Sequence, residues 1–207
     1  MYKLYSRAGS GSIVVEAVLE YVGAEYQLID AKRDENGKAP AALLVLNPLG
    51  QVPVLLLPDN SIMTESAAMV IYLADLFPAA KLAPAISSPL RGPYLRWLTY
   101  LAANIYMTEL LVTYPARYST EPSHAPAVKA AALIQEAREW QIFSDALGDG
   151  PFIFGKEMTA VDIYAAMLAD WNVDVPAFFA KHGNVKRLYD GVLQVPAFKK
   201  VWTRNGV

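Results

Sequence analysis

Residues 47–66 read NPLGQVPVLLLPDNSIMTES, and the reading of this stretch decides the fold. Val52-Pro53 leads straight into the apolar run Val54-Leu55-Leu56-Leu57. Pro58-Asp59-Asn60 makes a turn, a short apolar stretch follows, and Thr64-Glu65-Ser66 opens an amphipathic segment over residues 67–77. A proline at the mouth of a strand has no N–H for the sheet, and X-Pro is the one peptide bond that readily goes cis. A cis bond is therefore expected at Val52-Pro53, turning the Val52 N–H and C=O toward an extended partner. Thr64-Glu65-Ser66 joins a carboxylate, a hydroxyl and a helix N-terminus, which suits a zwitterionic amino-acid group. One site thus offers backbone pairing for a peptide and a cradle for its free amino-acid end.

Working outward, the chain before this stretch alternates between strand and helix. Residues 2–5 read as a strand, and 13–22 as a helix that ends at Gly23, a C-cap residue. Residues 26–30 read as a second strand, and 40–46 as a short helix with proline in its first turn. Residues 54–57 and 61–63 flank the Pro-Asp-Asn turn as a hairpin, and 67–77 form the closing helix. The order βαβαββα describes a thioredoxin-like α/β domain over residues 1–78, with parallel strands from the first crossover and antiparallel ones from the hairpin.

Pro78 ends the first domain, and Pro84 and Pro89 punctuate a connector over residues 79–90 that cannot continue a helix. Beyond it the strand signal disappears. Apolar residues at three- and four-residue steps predict one long helix over 94–114 and a second over 128–147, stopped by Gly148-Asp149-Gly150-Pro151. A third is expected over 159–171, with shorter ones at 185–193 and 196–202. Residues 91–207 are therefore expected to form an all-helical C-terminal domain. Thr159-Ala160-Val161-Asp162 fits an N-capping box with an acidic third helical position, a feature that serves folding and not chemistry.

Composition narrows the class. With 207 residues and 54% hydrophobic content the chain can bury a sizeable core, and no apolar run approaches the roughly 20 residues of a membrane span. The start of the sequence carries no basic-then-apolar leader, so a cytoplasmic location is expected. A net charge of −2 with interspersed signs leaves no nucleic-acid footprint. The absence of cysteine removes disulfides, thiolate nucleophiles and cysteine-based metal sites together. His124 and His182, the only histidines, fall in loop-like contexts without acidic partners; both are expected at the surface, and no metal site is expected.

The stretch NPLGQVPVL, followed by TESAAMVIYLADLF, closely resembles the glutathione-binding half of the cytosolic glutathione transferases. The resemblance runs from the strand at Tyr2 and the turn Ala8-Gly9-Ser10-Gly11-Ser12 to Met158-Thr159-Ala160-Val161-Asp162, nearly the whole chain. The pattern looks most like bacterial members, the beta class and its relatives. It implies a glutathione S-transferase that stabilises the glutathione thiolate for attack on a hydrophobic electrophile. Glutathione would be the cosubstrate, with no further cofactor, and the protein would be a homodimer.

The resemblance also implies roles for residues. Gln51, Val52 and Pro53 would meet the backbone of glutathione, and Glu65 and Ser66 its γ-glutamyl end. Lys38 is favoured over Lys32 and Arg33 for the glycine carboxylate, although a solvated charged loop explains all three. The family needs a donor to the sulfur at the start of the first helix. The beta-class cysteine position falls on Gly11, which excludes a mixed disulfide on the protein. Ser10 lies beside the position used by serine-type classes; Ser12 is the alternative, or a plain N-cap, and Tyr5 or backbone N–H groups complete the candidates. Tyr106 and Met107 stand where beta-class members show a His-Lys pair, implying with Tyr114 a more apolar electrophile pocket, with Arg117 and Tyr118 near its mouth. Two other readings stay open: a glutathione-binding or ligand-carrying protein with little turnover, and a structural or regulatory member of the fold.

Overall fold

A computed structural model describes residues 1–206 of the chain. Residues 2–76 follow the order read from the sequence: β1 (Tyr2–Ser6), α1 (Ser12–Tyr21), β2 (Tyr26–Asp30), α2 (Ala41–Leu46), β3 (Val54–Leu56), β4 (Ile62–Met63) and α3 (Ser66–Leu76). The sheet runs β2-β1-β3-β4. β1 pairs with β2 in parallel, and with β3 in antiparallel fashion; β3 and β4 form the antiparallel hairpin. This is the thioredoxin-like arrangement.

The chain divides into two compact units, Met1–Ala85 with the stretch from Val192 onward, and Ile86–Gly191. In the first unit α1 is apolar almost all round and buried from Ser12 to Leu19, as a core helix must be. It packs against α3 and against α10 (Pro196–Arg204). The division at residues 78 and 90 therefore differs from the observed packing at the far end. α10 carries Phe198, stacked at 4.9 Å on Tyr21, and Arg204, which pairs with the buried carboxylate of Glu16. Asn205 donates to the same carboxylate at 3.2 Å, and Lys200 bonds Glu20 at 2.6 Å. Burial pushes the Glu16 carboxyl above its ordinary range, and the bonds from Asn205 and Arg204 act against that shift.

The second unit is helical: α4 (Arg91–Tyr100), α5 (Tyr106–Thr113), α6 (Ala125–Leu147), α7 (Ala160–Ala169), α8 (Val175–Lys181) and most of α9 (Gly183–Leu193). The single helix expected over 94–114 is interrupted, because Leu101–Ile105 forms a π-helical turn between α4 and α5. Inside it the Asn104 amide donates to the Tyr100 carbonyl at 3.2 Å. α8 has no counterpart among the expected helices, and the helix expected from residue 128 starts earlier, at Ala125, with Pro126 in its first turn. Trp97 and Trp140 meet Phe143 edge-on at 5.4 and 6.0 Å. All ten residues of α7 are buried.

The capping box stands at the head of α7 as expected. The Asp162 carboxylate accepts from the Thr159 N–H at 2.7 Å, the Thr159 hydroxyl at 3.0 Å and the Ile153 N–H at 2.8 Å. Burial raises its pKa to about 6. Between α5 and α6, burial and then the neighbouring Glu136 carboxyl push the Glu109 carboxyl well above its ordinary range. His182, expected at the surface, is only 3% exposed: it ends α8 with its ring 5.0 Å from that of Phe178, and burial lowers its pKa. His124 does sit in an exposed turn, 3.2 Å from the Ser119 hydroxyl.

Candidate functional site

The register of the sheet brings four separate segments to one edge. Ser6 lies beside Asp30 in the parallel pair, so the turn after β1 and the loop after β2 leave the sheet at the same end. Tyr5 faces Val54 in the antiparallel pair, which brings Val52-Pro53 there too. Leu55 faces Met63, so the chain leaving β4 carries Thr64-Glu65-Ser66 back to the level of Pro53. Ser10, Lys38, Gln51, Val52, Pro53, Glu65 and Ser66 sit on these segments, with Ser12 at the start of α1 and Tyr5 on β1 opposite Val54.

The turn after β1 is built from small residues because α1 starts only six residues beyond Ser6. Gly9 takes φ +66°, a conformation that disfavours a side chain. The Ser10 hydroxyl donates to the Arg7 carbonyl at 2.6 Å and lies 2.8 Å from the Ser12 hydroxyl. The Ser12 hydroxyl reaches the same carbonyl at 3.2 Å. Ser12 is thus the first helical residue and no N-cap; Gly11 takes that place, without a side-chain bond. Two hydroxyls therefore serve one carbonyl, and Ser12 can hold Arg7 while the Ser10 hydrogen turns elsewhere. Ser10 is 6% exposed and Ser12 fully enclosed, so solvent reaches Ser10 alone of the two. Tyr5 packs partly buried against the small cluster of Ala31, Ala39, Leu43 and Val54.

Before β3, Asn47 shapes the loop that its side chain stays within. Its amide donates to the Gln51 carbonyl at 3.0 Å, and its Oδ1 accepts from the Leu49 N–H at 3.2 Å. Gly50 takes φ +62°, and a Cβ there would stand 3.0 Å from that of Ala39. The Val52-Pro53 bond is cis, as expected. Gln51 is exposed, Val52 half-buried and Pro53 buried. Across the edge, Glu65 holds φ +65° at the mouth of α3. A non-glycine residue in that region costs on the order of 1 kcal/mol or more and calls for a reason. Its carboxylate is exposed, while Ser66 beside it is buried in the first turn of the helix.

In the loop after β2, the Asp34 side chain accepts from the N–H groups of Asn36 and Lys38 at 3.0 and 2.8 Å. Lys38 is exposed. Arg33, weighed in the sequence as a carboxylate partner, instead donates to the carbonyls of Gly37 and Gly50 at 2.7 and 2.8 Å.

The three candidates of the helical unit lie on one stretch. Tyr106 opens α5 directly after the π turn, its ring edge-on to Trp171 at 5.0 Å. No spacing in the sequence links these two residues, so Trp171 is an addition that only the packing supplies. Met107 is 42% exposed and Tyr114, at the end of α5, 38%. The Arg117 guanidinium lies 3.9 Å above the Tyr114 ring, a cation–π contact. Among the described residues no group of three or more histidine, cysteine or acidic side chains is placed to hold a metal ion, and no helix is long and apolar enough to cross a membrane.

Comparison with known proteins adds an independent line. The family model for the glutathione S-transferase N-terminal domain matches residues 12–76. The uncharacterized GST-like protein YncG of Escherichia coli (strain K12) is 32% identical over 209 residues, spanning 100% of both chains. Glutathione S-transferase GstA of Escherichia coli O157:H7 is 32% identical over 175 residues, 82% of this chain and 81% of that one. The crystal structure of a glutathione transferase from Methylococcus capsulatus str. Bath superposes with a TM-score of 0.84 at 26% identity, covering 100% of this chain and 99% of the other. With the sheet edge built as described and bacterial relatives matching along the full length, this chain belongs to the glutathione S-transferase family.

Proposed function

We propose that this protein is a glutathione transferase, holding glutathione along the sheet edge and favouring its thiolate for attack on a hydrophobic electrophile. The observation that carries the reading is the convergence of four segments at that edge, each bearing groups suited to a different part of the tripeptide. Glu65 takes the ammonium of the γ-glutamyl end, and Ser66 with the α3 N-terminus takes its carboxylate. Val52 pairs with the cysteinyl backbone, flanked by Pro53, with Gln51 beside it. Lys38 takes the glycine carboxylate. The sulfur then meets the start of α1, where Ser10, backed by Ser12, donates to the thiolate. Hydrogen bonding and positive helix-end charge both stabilise the anion and lower the thiol pKa. Tyr106, Met107 and Tyr114 are the proposed electrophile contacts; the exposed Met107 and Tyr114 beside the half-buried Tyr106 suit an uncharged aromatic or aliphatic group. A cytoplasmic location accords with a reaction that consumes reduced glutathione.

Titration calorimetry with glutathione tests the binding mode. Glu65→Ala is expected to weaken binding by at least about tenfold, the loss of a charge-assisted bond worth roughly 1.5–3 kcal/mol. An unchanged affinity in that variant would remove the binding mode, and no heat with the unaltered protein would remove the function.

The inward bond from Ser10 to the Arg7 carbonyl favours a second reading, in which glutathione binds but turns over little. Thiolate absorbance on binding separates the two: an enzyme develops it near neutral pH, a carrier does not.

The reading includes a homodimer. Tyr72 and Leu76 on α3, and Leu133 and Ile134 on α6, are large apolar side chains left exposed on the single chain. The Tyr100 hydroxyl is turned inward, donating to the Glu139 carbonyl at 3.0 Å. Sedimentation at micromolar concentration is expected to give twice the mass of one chain; the mass of a single chain would reject the dimer and leave the glutathione site standing.

A further inference from the structure

We propose that Arg33 is a positioning residue for glutathione, the tie that fixes the Lys38 loop against the segment entering β3. The inference rests on the glutathione reading above and adds to it a residue that touches no part of the tripeptide. The two guanidinium contacts reach across 17 residues of sequence: Nη1 donates to the Gly37 carbonyl at 2.7 Å and Nη2 to the Gly50 carbonyl at 2.8 Å. Gly37 directly precedes Lys38, and Gly50 directly precedes Gln51 and Val52. One planar fork thus sets the distance between the groups assigned to the glycine carboxylate and those assigned to the peptide backbone. Each side of the tie is itself stiffened. The Asp34 side chain holds the Lys38 N–H at 2.8 Å, and the Asp34 N–H donates to the Lys38 carbonyl at 3.0 Å. The Asn47 amide holds the Gln51 carbonyl at 3.0 Å, and the Gly50 N–H bonds the Asn47 carbonyl at 2.8 Å. Ala39 comes so close to Gly50 that a Cβ on the glycine would meet it at 3.0 Å, so the two segments are in contact where Arg33 joins them.

Both of these Arg33 bonds go to carbonyls, which do not neutralise its charge. The positive charge therefore stays in place beside Lys38, where it adds to the field felt by an arriving carboxylate. A lysine keeps the charge but presents no planar fork to bridge two carbonyls.

The test compares the unaltered protein with Arg33→Met and Arg33→Lys, in steady-state assays with an activated aryl halide and in amide hydrogen exchange without ligand. Arg33→Met is expected to raise the KM for glutathione about fivefold with kcat at saturating glutathione unchanged, and to speed exchange at Gly37, Lys38 and Gly50, whose N–H groups are bonded within the two tied segments. Arg33→Lys is expected to fall between the two in KM. A KM that does not move, or a kcat that falls in step with stability, would overturn the proposal and leave the glutathione reading intact. An unaltered protein that binds no glutathione would overturn that reading, and this inference with it, whatever the exchange data show.

Discussion

Asp162→Ala is expected to lower the free energy of unfolding by about 3–5 kcal/mol, a large fraction of the roughly 5–15 kcal/mol typical of a folded chain. One fully buried carboxylate receives three donors, from Thr159 twice and from Ile153. Removing it strands two backbone N–H groups and a hydroxyl away from water, each costing roughly 1–3 kcal/mol. The effect falls on α7, a helix buried on every side, so the helical unit has no solvent-facing edge on which to reseat it. Urea unfolding followed by tryptophan fluorescence measures the loss; a change below about 1 kcal/mol would mean that the surroundings relax and re-satisfy the donors. A pH signature accompanies it. Burial lifts the Asp162 pKa from 3.8 to about 6, above its unfolded value. The folded state therefore holds the proton more tightly, and this group's contribution is complete below the unfolded pKa and lost as pH rises through about 6. Asp162→Asn, which cannot titrate, is expected to lack that slope.

Ser10→Ala is expected to lower kcat with an activated aryl halide about thirtyfold while changing glutathione affinity less than about twofold. A hydrogen bond to a thiolate falls among the charged bonds worth roughly 1.5–3 kcal/mol, and about 2 kcal/mol is about thirtyfold in rate. Binding barely moves because the two ends of the tripeptide carry it. Ser12→Ala is expected to do the reverse. Its enclosed hydroxyl supports Ser10 and the Arg7 carbonyl, so its loss costs about 1–2 kcal/mol of stability with a small change in turnover. A larger turnover loss from Ser12→Ala would make Ser12 the donor. Two variants with unchanged turnover would assign the sulfur to backbone N–H groups of the turn.

Features written in neighbouring residues are legible in the amino-acid sequence. The cis Val52-Pro53 bond follows from where proline sits against a strand, and the Thr159–Asp162 box from a three-residue spacing. The hairpin follows from the Pro58-Asp59-Asn60 turn between two apolar stretches. Features made by distant residues are not. Glu16 reads as a lone charge in an apolar helix until Arg204 arrives from 188 residues away. The bond from Arg33 to the Gly50 carbonyl depends on how two loops leave one sheet edge, so the sequence offers only a cation in a charged loop. The π turn at Leu101–Ile105 leaves apolar spacing nearly helical on both sides, and periodicity passes over it. α8 begins with Val175-Pro176, and a proline in so short a segment masks a helix that it in fact starts. His182 reads as a surface residue because its burial comes from tertiary packing, which its loop-like neighbours do not announce.

Because α10 completes the unit begun by β1, the order of synthesis matters. A ribosome adding about 5–20 residues per second makes the sheet and α3 well before it reaches Val192. For that interval the carboxylate of Glu16 has no Arg204, and the α1 surface that meets Phe198 has no cover. The helical unit is continuous from Ile86 to Gly191, so its residues are all made before Val192. Vectorial synthesis thus leaves the half that bears the peptide edge, the first to be made, waiting for the stretch from Val192 onward to seal it.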